Sequence, residues 1–351
     1  MTFEYFTKIV SFVDMTSSPG YPYIYHHTNN ASFFHYKDGV VDPDRLKVVW
    51  EMVINQIQER RSDPIRIFVK PEPHSYKKLQ SGRYRLISSV SIIDQIIDAM
   101  LFREMNAQMI AQWPLLPTRV GWSPYYGGWK MMPYVREQMA IDKSSWDWTV
   151  QPWIVEAVLQ IRTEMCANLT PQWEELARWR YKELYGSPLF VTTRGSIFKQ
   201  QTPGVMKSGC YNTLMDNSIM QLILHALVTQ KLNIPFGQII AMGDDTLQDA
   251  LPEPILTDYL DQLSMYCNVK LCEKKREFCG FNFNVNGVVE PIYRGKHAYK
   301  MLHMPIDIMQ SMADSYTMMY HKSRYSPLID RFFRKIGCEV SPRPYRDLVY
   351  G

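Results

Sequence analysis

The residues of this chain whose type and spacing could do chemistry are three aspartates, each preceded by an apolar run. Gly243-Asp244-Asp245 directly follows Ile239-Ile240-Ala241-Met242, and Asp142 directly follows Met139-Ala140-Ile141. Carboxylates crowded at the end of a buried strand suffer both mutual repulsion and desolvation. Bound cations relieve both, and hard oxygen ligands around one or two Mg²⁺ ions are what phosphoryl transfer needs. A surface hairpin turn is the plain alternative for Gly-Asp-Asp, because turns favour those residue types in any case. If the strand ending at Asp142 pairs with that hairpin, Asp142 and Asp244 meet on one metal-binding rim. Asp147 could instead start the helix that follows it, but Asp142 lies too far upstream for that role.

A third group is Ser208-Gly209-Cys210-Tyr211-Asn212-Thr213-Leu214-Met215-Asp216-Asn217. Thr213 and Asn217 are one helical turn apart and share a face. A hydroxyl beside an amide can hydrogen-bond a ribose hydroxyl, the group that distinguishes RNA from DNA. Polar residues on a wet helix face explain the same pattern, and both readings stand. Ser208-Gly209 predicts a flexible loop that a nucleotide or template backbone could approach closely. Between Arg60 and Arg85 the cations crowd together (Arg60, Arg61, Arg66, Lys70, Lys77, Lys78, Arg83 and Arg85). That run is either a solvated face or a phosphate-binding surface.

The elements that must position these groups are legible in outline. Asp42 to Arg60 has helical spacing of Leu46, Val49, Val53 and Ile57, with Asp42 or Asp44 near its start. Ile65 to Val69 predicts a strand, and Ser88 to Met109 a strongly apolar helix. Trp113 to Pro133 is rich in Gly, Pro and aromatics and predicts a loop. A strand over Met139 to Asp142 and a helix over Trp153 to Leu169 follow. Gly209 to Leu232 then predicts a long helix, and Gln238 to Asp249 two strands around the Gly-Asp-Asp turn. Ile255 to Tyr266 predicts a helix, and Phe278 to Val289 a hairpin with a type I′ turn at Asn286-Gly287. The last segment is helical and basic. Strands and helices in this order predict an α+β core, not an alternating βαβ sheet.

The 351 residues carry a net charge of +4 and are 46% hydrophobic, which excludes global disorder but leans only mildly towards polyanionic partners. The six cysteines show no CxxC pair, so reduced thiols in a cytosolic setting are expected. No secretory signal opens the chain. The longest apolar candidate, 219–236, is broken by Gln221, His225, Gln230 and Lys231, so membrane association would require another protein.

Taken together, these segments resemble a known family. Asp142-x4-Asp147, Ser208-Gly209-x3-Thr213-x3-Asn217 and Gly243-Asp244-Asp245 look like motifs A, B and C of positive-strand RNA virus polymerases. Upstream, Lys70-Pro71-Glu72-Pro73-His74 and Gly82-Arg83-Tyr84-Arg85-Leu86-Ile87-Ser88 resemble motif F, whose cations contact the incoming triphosphate. Ser18-Pro19-Gly20-Tyr21-Pro22 is similar to motif G, which guides the template. Lys270 or Lys274 fits the motif D lysine, with Lys274 preferred, and Phe278-Cys279-Gly280-Phe281 looks like the motif E primer grip. Glu-Pro-His with the following Arg-Tyr-Arg-Leu-Ile-Ser-Ser-Val-Ser looks closest to the sobemovirus and luteovirus-like lineage. The likeness runs from about residue 17 to residue 285.

The resemblance implies a right-hand polymerase fold: fingers over 1–133, an antiparallel palm with helices over 134–290, and a small helical thumb over 291–351. A fingers insertion is expected near 170–205. By the same likeness the chain copies an RNA template from NTPs and releases pyrophosphate. Asp142 and Asp244 would ligate two Mg²⁺ ions (Mn²⁺ substituting), with Asp245 auxiliary and Lys143 in the metal set. Lys274 would protonate pyrophosphate. Lys70, Arg83 and Arg85 would neutralise the triphosphate, and Asp147, Ser208, Gly209, Thr213 and Asn217 would bind the nucleotide. Ser18, Pro19 and Gly20, with Phe278, Cys279 and Gly280, would contact template and primer. Template and product RNA, NTPs, a genome-linked protein primer and a membrane-anchoring viral protein are the implied partners, in membrane-associated complexes of the host cytoplasm. A reverse transcriptase would usually show an aromatic-x-Asp-Asp hairpin and a bulky residue screening the sugar. A non-catalytic scaffold of polymerase shape would lack a metal carboxylate.

Overall fold

Local chemistry explains where the elements begin and end. In the computed structural model, which describes residues 1–351, the first long helix runs Pro43–Glu59. Asp42 caps it by accepting from the Arg45 amide at 2.8 Å, Pro43 occupies the first turn, and Arg60 ends it in the left-handed region at φ 50°. The Ile92–Ala111 helix is apolar nearly all round and buries Ile92, Ile93, Ile96, Ile97 and Phe102.

Eleven short strands accompany these helices. They are β1 (Ile65–Val69), β2 (Leu86–Ser89), β3 (Gln138–Lys143), β4 (Leu189–Thr192), β5 (Ile197–Lys199) and β6 (Ile239–Met242). The remainder are β7 (Asp245–Asp249), β8 (Val269–Glu273), β9 (Glu277–Phe278), β10 (Phe281–Phe283) and β11 (Val289–Pro291). The chain divides into two compact units. One comprises Met1–Met109, Ser145–Ile223 and Tyr266–Asn268; the other comprises Ile110–Ser144, Leu224–Met265 and Val269–Gly351. These units cut across the divisions at 133 and 290 that the sequence suggested.

The first unit contains the sheet β2-β1-β4-β5, in which β1 and β4 run parallel and the other neighbours antiparallel. Its helices are joined by buried ion pairs. Arg162 and Asp216 are both fully buried and meet at 2.7 Å, and Arg180, also fully buried, reaches Asp94 and Asp98 at 2.6 Å each. Burial opposes the charge on Arg162, and Asp216 more than offsets it, so the guanidinium stays ionised.

The second unit contains the antiparallel sheet β6-β7-β3-β8 and the smaller sheet β11-β10-β9. Trp122, Ile240, Leu247, Phe278, Phe283 and Tyr350 pack in one core behind these strands. The helices Met309–Met319 and Ser326–Lys335 pack around Ala313, Tyr316, Tyr320, Ile329 and Phe333 in another.

Several boundaries differ from the sequence reading, among them the helix expected to reach Leu169, which ends at Glu164. The apolar helix starts at Ile92 and not at Ser88, because Leu86–Ser89 pairs with β1 as a strand. The long helix starts at Thr213, since Ser208 to Asn212 is loop. The hairpin near Asn286-Gly287 has a longer connection than a two-residue turn. There Asn284 Oδ1 accepts from the amides of Asn286 (3.0 Å) and Val288 (2.9 Å), which stabilises a wider loop. No helix is long and apolar enough to cross a membrane.

Candidate active site

Strand pairing brings the three key aspartates together in the second unit. β6 and β7 form a tight hairpin, Met242 opposite Asp245, with Gly243 and Asp244 as its turn. Gly243 has φ 65°, which glycine adopts without strain, so the turn needs it. β7 pairs antiparallel with β3, Ala140 opposite Leu247 and Gln138 opposite Asp249. Continued two residues, this register sets Asp142 level with Asp245. The carboxylates therefore sit on neighbouring strand ends, as the sequence required for a shared rim.

The other neighbour of β3 supplies a cation. β8 pairs with β3 so that Asp142 faces Leu271 and Lys143 faces Val269. One residue of β8 is therefore extra at this point. That residue is Lys270, and such a bulge re-aims its side chain. Its Nζ lies 2.5 Å from Asp142 Oδ2, an exposed pair. Lys274, preferred from sequence, instead faces Glu137 at 4.0 Å. Of these two lysines, Lys270 is the one paired with an aspartate of the cluster.

Lys143 is placed differently from Lys270. It is buried, and its Nζ donates to Thr246 Oγ1 at 3.2 Å. An ammonium has no lone pair to offer a metal, so only the main-chain carbonyl of Lys143 could ligate. Desolvation, and then the Asp244 charge, push the Asp245 carboxyl up to about 6; Lys143 opposes the shift, and Asp142 and Glu277 add to it. Because Asp245 remains open to solvent, screening reduces the penalty its charge carries. With the side chains as they stand, no three of the chain's His, Cys, Asp and Glu groups close into a metal cage.

Phe278, expected at the primer, is a core residue with 1% exposure, so its ring is not available to RNA. The turn that follows is more accessible: Cys279 (φ 48°) and Gly280 (φ 80°) both lie in the left-handed region. Burial pushes the Cys279 thiol up, with Asp245 and Asp244 adding to it.

In the first unit the nucleotide candidates are organised around Asn217. Asn217 is buried, which excludes the wet-face reading. Its Oδ1 accepts from Trp146 Nε1 at 2.9 Å, and its Nδ2 donates to Asp147 Oδ1 at 3.3 Å. Asp147 therefore does not cap the next helix, whose N-cap is Gln151. Thr213 Oγ1 donates to the carbonyls of Lys207 (2.7 Å) and Cys210 (2.9 Å), which it must share with a single proton. Its lone pairs remain as acceptors. Gly209 passes so close to the β2 edge that a Cβ would lie 2.1 Å from the Ser88 carbonyl oxygen, so no other residue fits there. The Ser88 amide donates to Ser208 Oγ at 3.2 Å.

The sequence-predicted cations of the first unit are exposed or half-buried. Lys70 and Arg85 flank Glu72 at 3.7 and 3.9 Å, and Arg83 is exposed. Such long surface pairs hold a side chain weakly and leave it free to take a phosphate. The Ser18-Pro19-Gly20 loop docks on the start of the Ile92–Ala111 helix. The Ile92 amide donates to the Pro19 carbonyl at 2.8 Å, and Ser18 stays exposed. Sequence reading missed Lys207, a buried lysine directly before Ser208. A lone lysine beside a glycine loop carries no signal that separates it from a surface charge.

The fold is that of a right-hand polymerase. Over 96% of this chain and 77% of the other, the structure is similar to Sicinivirus 3Dpol RNA dependent RNA polymerase, with TM-score 0.73 at 18% identity. Residues 2–286 match the family described as viral RNA-dependent RNA polymerase, and the chain belongs to that family. The RNA-directed RNA polymerase of Mushroom bacilliform virus is 29% identical over 301 residues, 81% of this chain and 71% of that protein. Protein P1-P2 of Potato leafroll virus is 32% identical over 266 residues, 70% of this chain. The replicase polyprotein P2AB of Southern cowpea mosaic virus is 36% identical over 194 residues, 53% of this chain. The chain spans 24% and 20% of the length of these last two relatives. The sobemovirus and luteovirus-like likeness read from the sequence agrees with these relatives.

Proposed function

We propose that this chain is the catalytic part of a viral replicase that copies RNA by two-metal-ion nucleotidyl transfer from NTPs. The observation that carries this reading is the pairing of β3, β6, β7 and β8, which gathers Asp142, Asp244 and Asp245 with Lys270 on Asp142. The donor set fits Mg²⁺. It consists of hard carboxylate oxygens at the strand ends, where Asp245 is pushed up towards neutrality and an ammonium is already drawn onto Asp142. Asp142 and Asp244 would hold both ions, with Asp245 auxiliary and the Lys143 carbonyl as a further oxygen. When bound, Mg²⁺, or Mn²⁺ in its place, supplies charge stabilisation to the attacking and leaving oxygens.

The rest of the work falls to the chain itself. Lys70, Arg83 and Arg85 neutralise the triphosphate, with arginine suited to bidentate phosphate contacts. Lys270 Nζ donates a proton to the departing pyrophosphate oxygen, the role first expected for Lys274. Asp147, held by Asn217, accepts from a ribose hydroxyl, and Thr213 offers its lone pairs. Ser208 and Gly209 allow close approach of the nucleotide. Ser18, Pro19 and Gly20 guide the template, and the Cys279-Gly280 turn supports the primer strand. In this reading residues 1–133 are fingers, 134–290 palm with a fingers insertion near 170–205, and 291–351 a small thumb tracking product duplex. A protein-linked primer and a membrane-anchoring viral protein complete a replication complex at host cytoplasmic membranes.

The test is incorporation of labelled ribonucleotides on a short RNA template with Mg²⁺, comparing wild type with Asp244→Ala. Product should vanish in the variant without loss of fold. Residual activity within about tenfold of wild type, a barrier change of only ~1.4 kcal/mol, would overturn the assignment.

A further inference from the structure

The backbone leading into Ser208 is strained. Gly204 has φ 101° and Val205 has φ 58°. A β-branched residue adopts that region only when its surroundings force it to. The amides of this stretch are tied down one after another. Gly204 donates to the Tyr185 carbonyl, Val205 to that of Val150 and Met206 to that of Asp147, each at 2.8 Å. The carbonyls are held by one side chain. Lys207 Nζ donates to the Gly204 oxygen at 2.9 Å and to the Val205 oxygen at 2.7 Å.

This lysine is 1% exposed, and the Tyr185 ring lies 5.3 Å from its ammonium. Lysine is almost never buried to this extent without a counter-charge, because desolvating the ammonium is costly. Here its hydrogen bonds go to the two carbonyls of its own strained loop. The same loop borders a cavity of about 830 Å³, lined on that side by Asp147, Trp148, Val205, Met206, Lys207 and Ser208.

We infer that Lys207 is a positioning residue that clamps the 204–208 loop in its strained form. The clamp sets Ser208 at the cavity and, through the Met206 amide on the Asp147 carbonyl, fixes Asp147 beside it. The part of this inference that concerns nucleotide rests on the proposed polymerase reading, in which Asp147 and Ser208 receive the NTP. The clamping itself does not.

A double-mutant cycle on the full chain tests it, with Lys207→Met, Val205→Gly and both together. Loop order is read by hydrogen exchange without nucleotide, and nucleotide use by KM and kcat for ATP incorporation. With Lys207→Met, amides of residues 205–210 should exchange at least about tenfold faster while core amides are unchanged. The KM for ATP should rise at least about tenfold with kcat changed by less than about threefold. Val205→Gly removes the strain, so the double variant should lie closer to wild type than Lys207→Met alone, a non-additive cycle. Unchanged exchange in a folded Lys207→Met protein overturns the clamp, and so does an additive cycle. Faster exchange with an unchanged KM overturns the positioning role. If Lys207→Met does not fold, the double variant decides: recovery of a folded protein supports the clamp, and continued failure overturns it. Loop exchange that responds in a protein whose wild type makes no RNA removes the polymerase reading and leaves the clamp.

Discussion

Replacing Arg162 with methionine isolates one buried charge at the first turn of the Thr213–Lys231 helix. In the native chain Arg162 Nε and Nη2 reach Asp216 Oδ1 at 2.8 and 2.7 Å, Nη1 donates to Asn106 at 3.0 Å, and Tyr181 donates to Asp216 Oδ2 at 2.9 Å. Both charged side chains are fully buried. Methionine fills much of the volume but leaves Asp216 without its counter-charge. Breaking one partner of a buried pair costs ~3–5 kcal/mol. The carboxyl can escape by taking up a proton. Starting from its ordinary value of 3.8, neutralising it at pH 7 costs ~4 kcal/mol, at ~1.36 kcal/mol per pH unit. Arg162→Met should therefore lose about 4 kcal/mol at pH 7. The deficit relative to wild type should shrink by ~1.4 kcal/mol for each unit of acidification. Urea unfolding followed by circular dichroism at pH 7 and at pH 5.5 measures both quantities. Arg162→Met with Asp216→Leu should recover most of the loss, since an apolar pair needs no counter-charge. A loss below ~1 kcal/mol at pH 7, or the same loss at both pH values, would refute the argument.

The remaining predictions concern the catalytic reading and one buried histidine. Lys270→Met should lower kcat for single-nucleotide incorporation by about 10²-fold, while Lys274→Met stays within about threefold; the reverse order would restore Lys274 as the acid. Asn217→Ala removes the hydrogen bond from Asn217 to Asp147 and should reduce preference for ribonucleotides over deoxyribonucleotides by at least about tenfold, read from kcat/KM for each. Burial lowers the pKa of His225, whose Nε2 donates to the Phe236 carbonyl at 2.6 Å and whose Nδ1 meets Tyr259 Oη at 2.7 Å. As pH falls through the ordinary value of 6.5, the unfolded chain takes up a proton that the fold refuses. Stability should thus decline by up to ~1.4 kcal/mol per unit. His225→Gln should flatten that part of a stability–pH curve, and an unchanged slope would count against the neutral histidine.

The strands that carry the aspartates were legible because their signal is local. Gly243-Asp244-Asp245 after four apolar residues specifies a hairpin, and Asp142 after Ile141 a strand end, so the pairing of β3 with β7 needed little more. What stayed hidden depends on partners distant in sequence. β1 reads as a strand, but its parallel pairing with β4 is set by the folded first unit and leaves no mark at Ile65–Val69. The helix start at Ile92 was placed too early because the edge of β1 recruits Leu86–Ser89, whose own pattern is ambiguous. The choice between Lys270 and Lys274 was closed to sequence for a sharper reason. Both lie on one short segment, and only the β-bulge decides which one turns towards Asp142.

That bulge makes the spacing of residues, not only their identity, a functional variable. Side chains alternate along a strand, so a slip of β8 by one residue past β3 that set Cys272 in place of Leu271 opposite Asp142 would carry Lys270 away from that carboxylate and turn it to the opposite face. A single insertion or deletion in 265–269 would disarm the aspartate cluster while every one of its residues stayed in place. Relatives of this chain would then keep a constant length over 265–269.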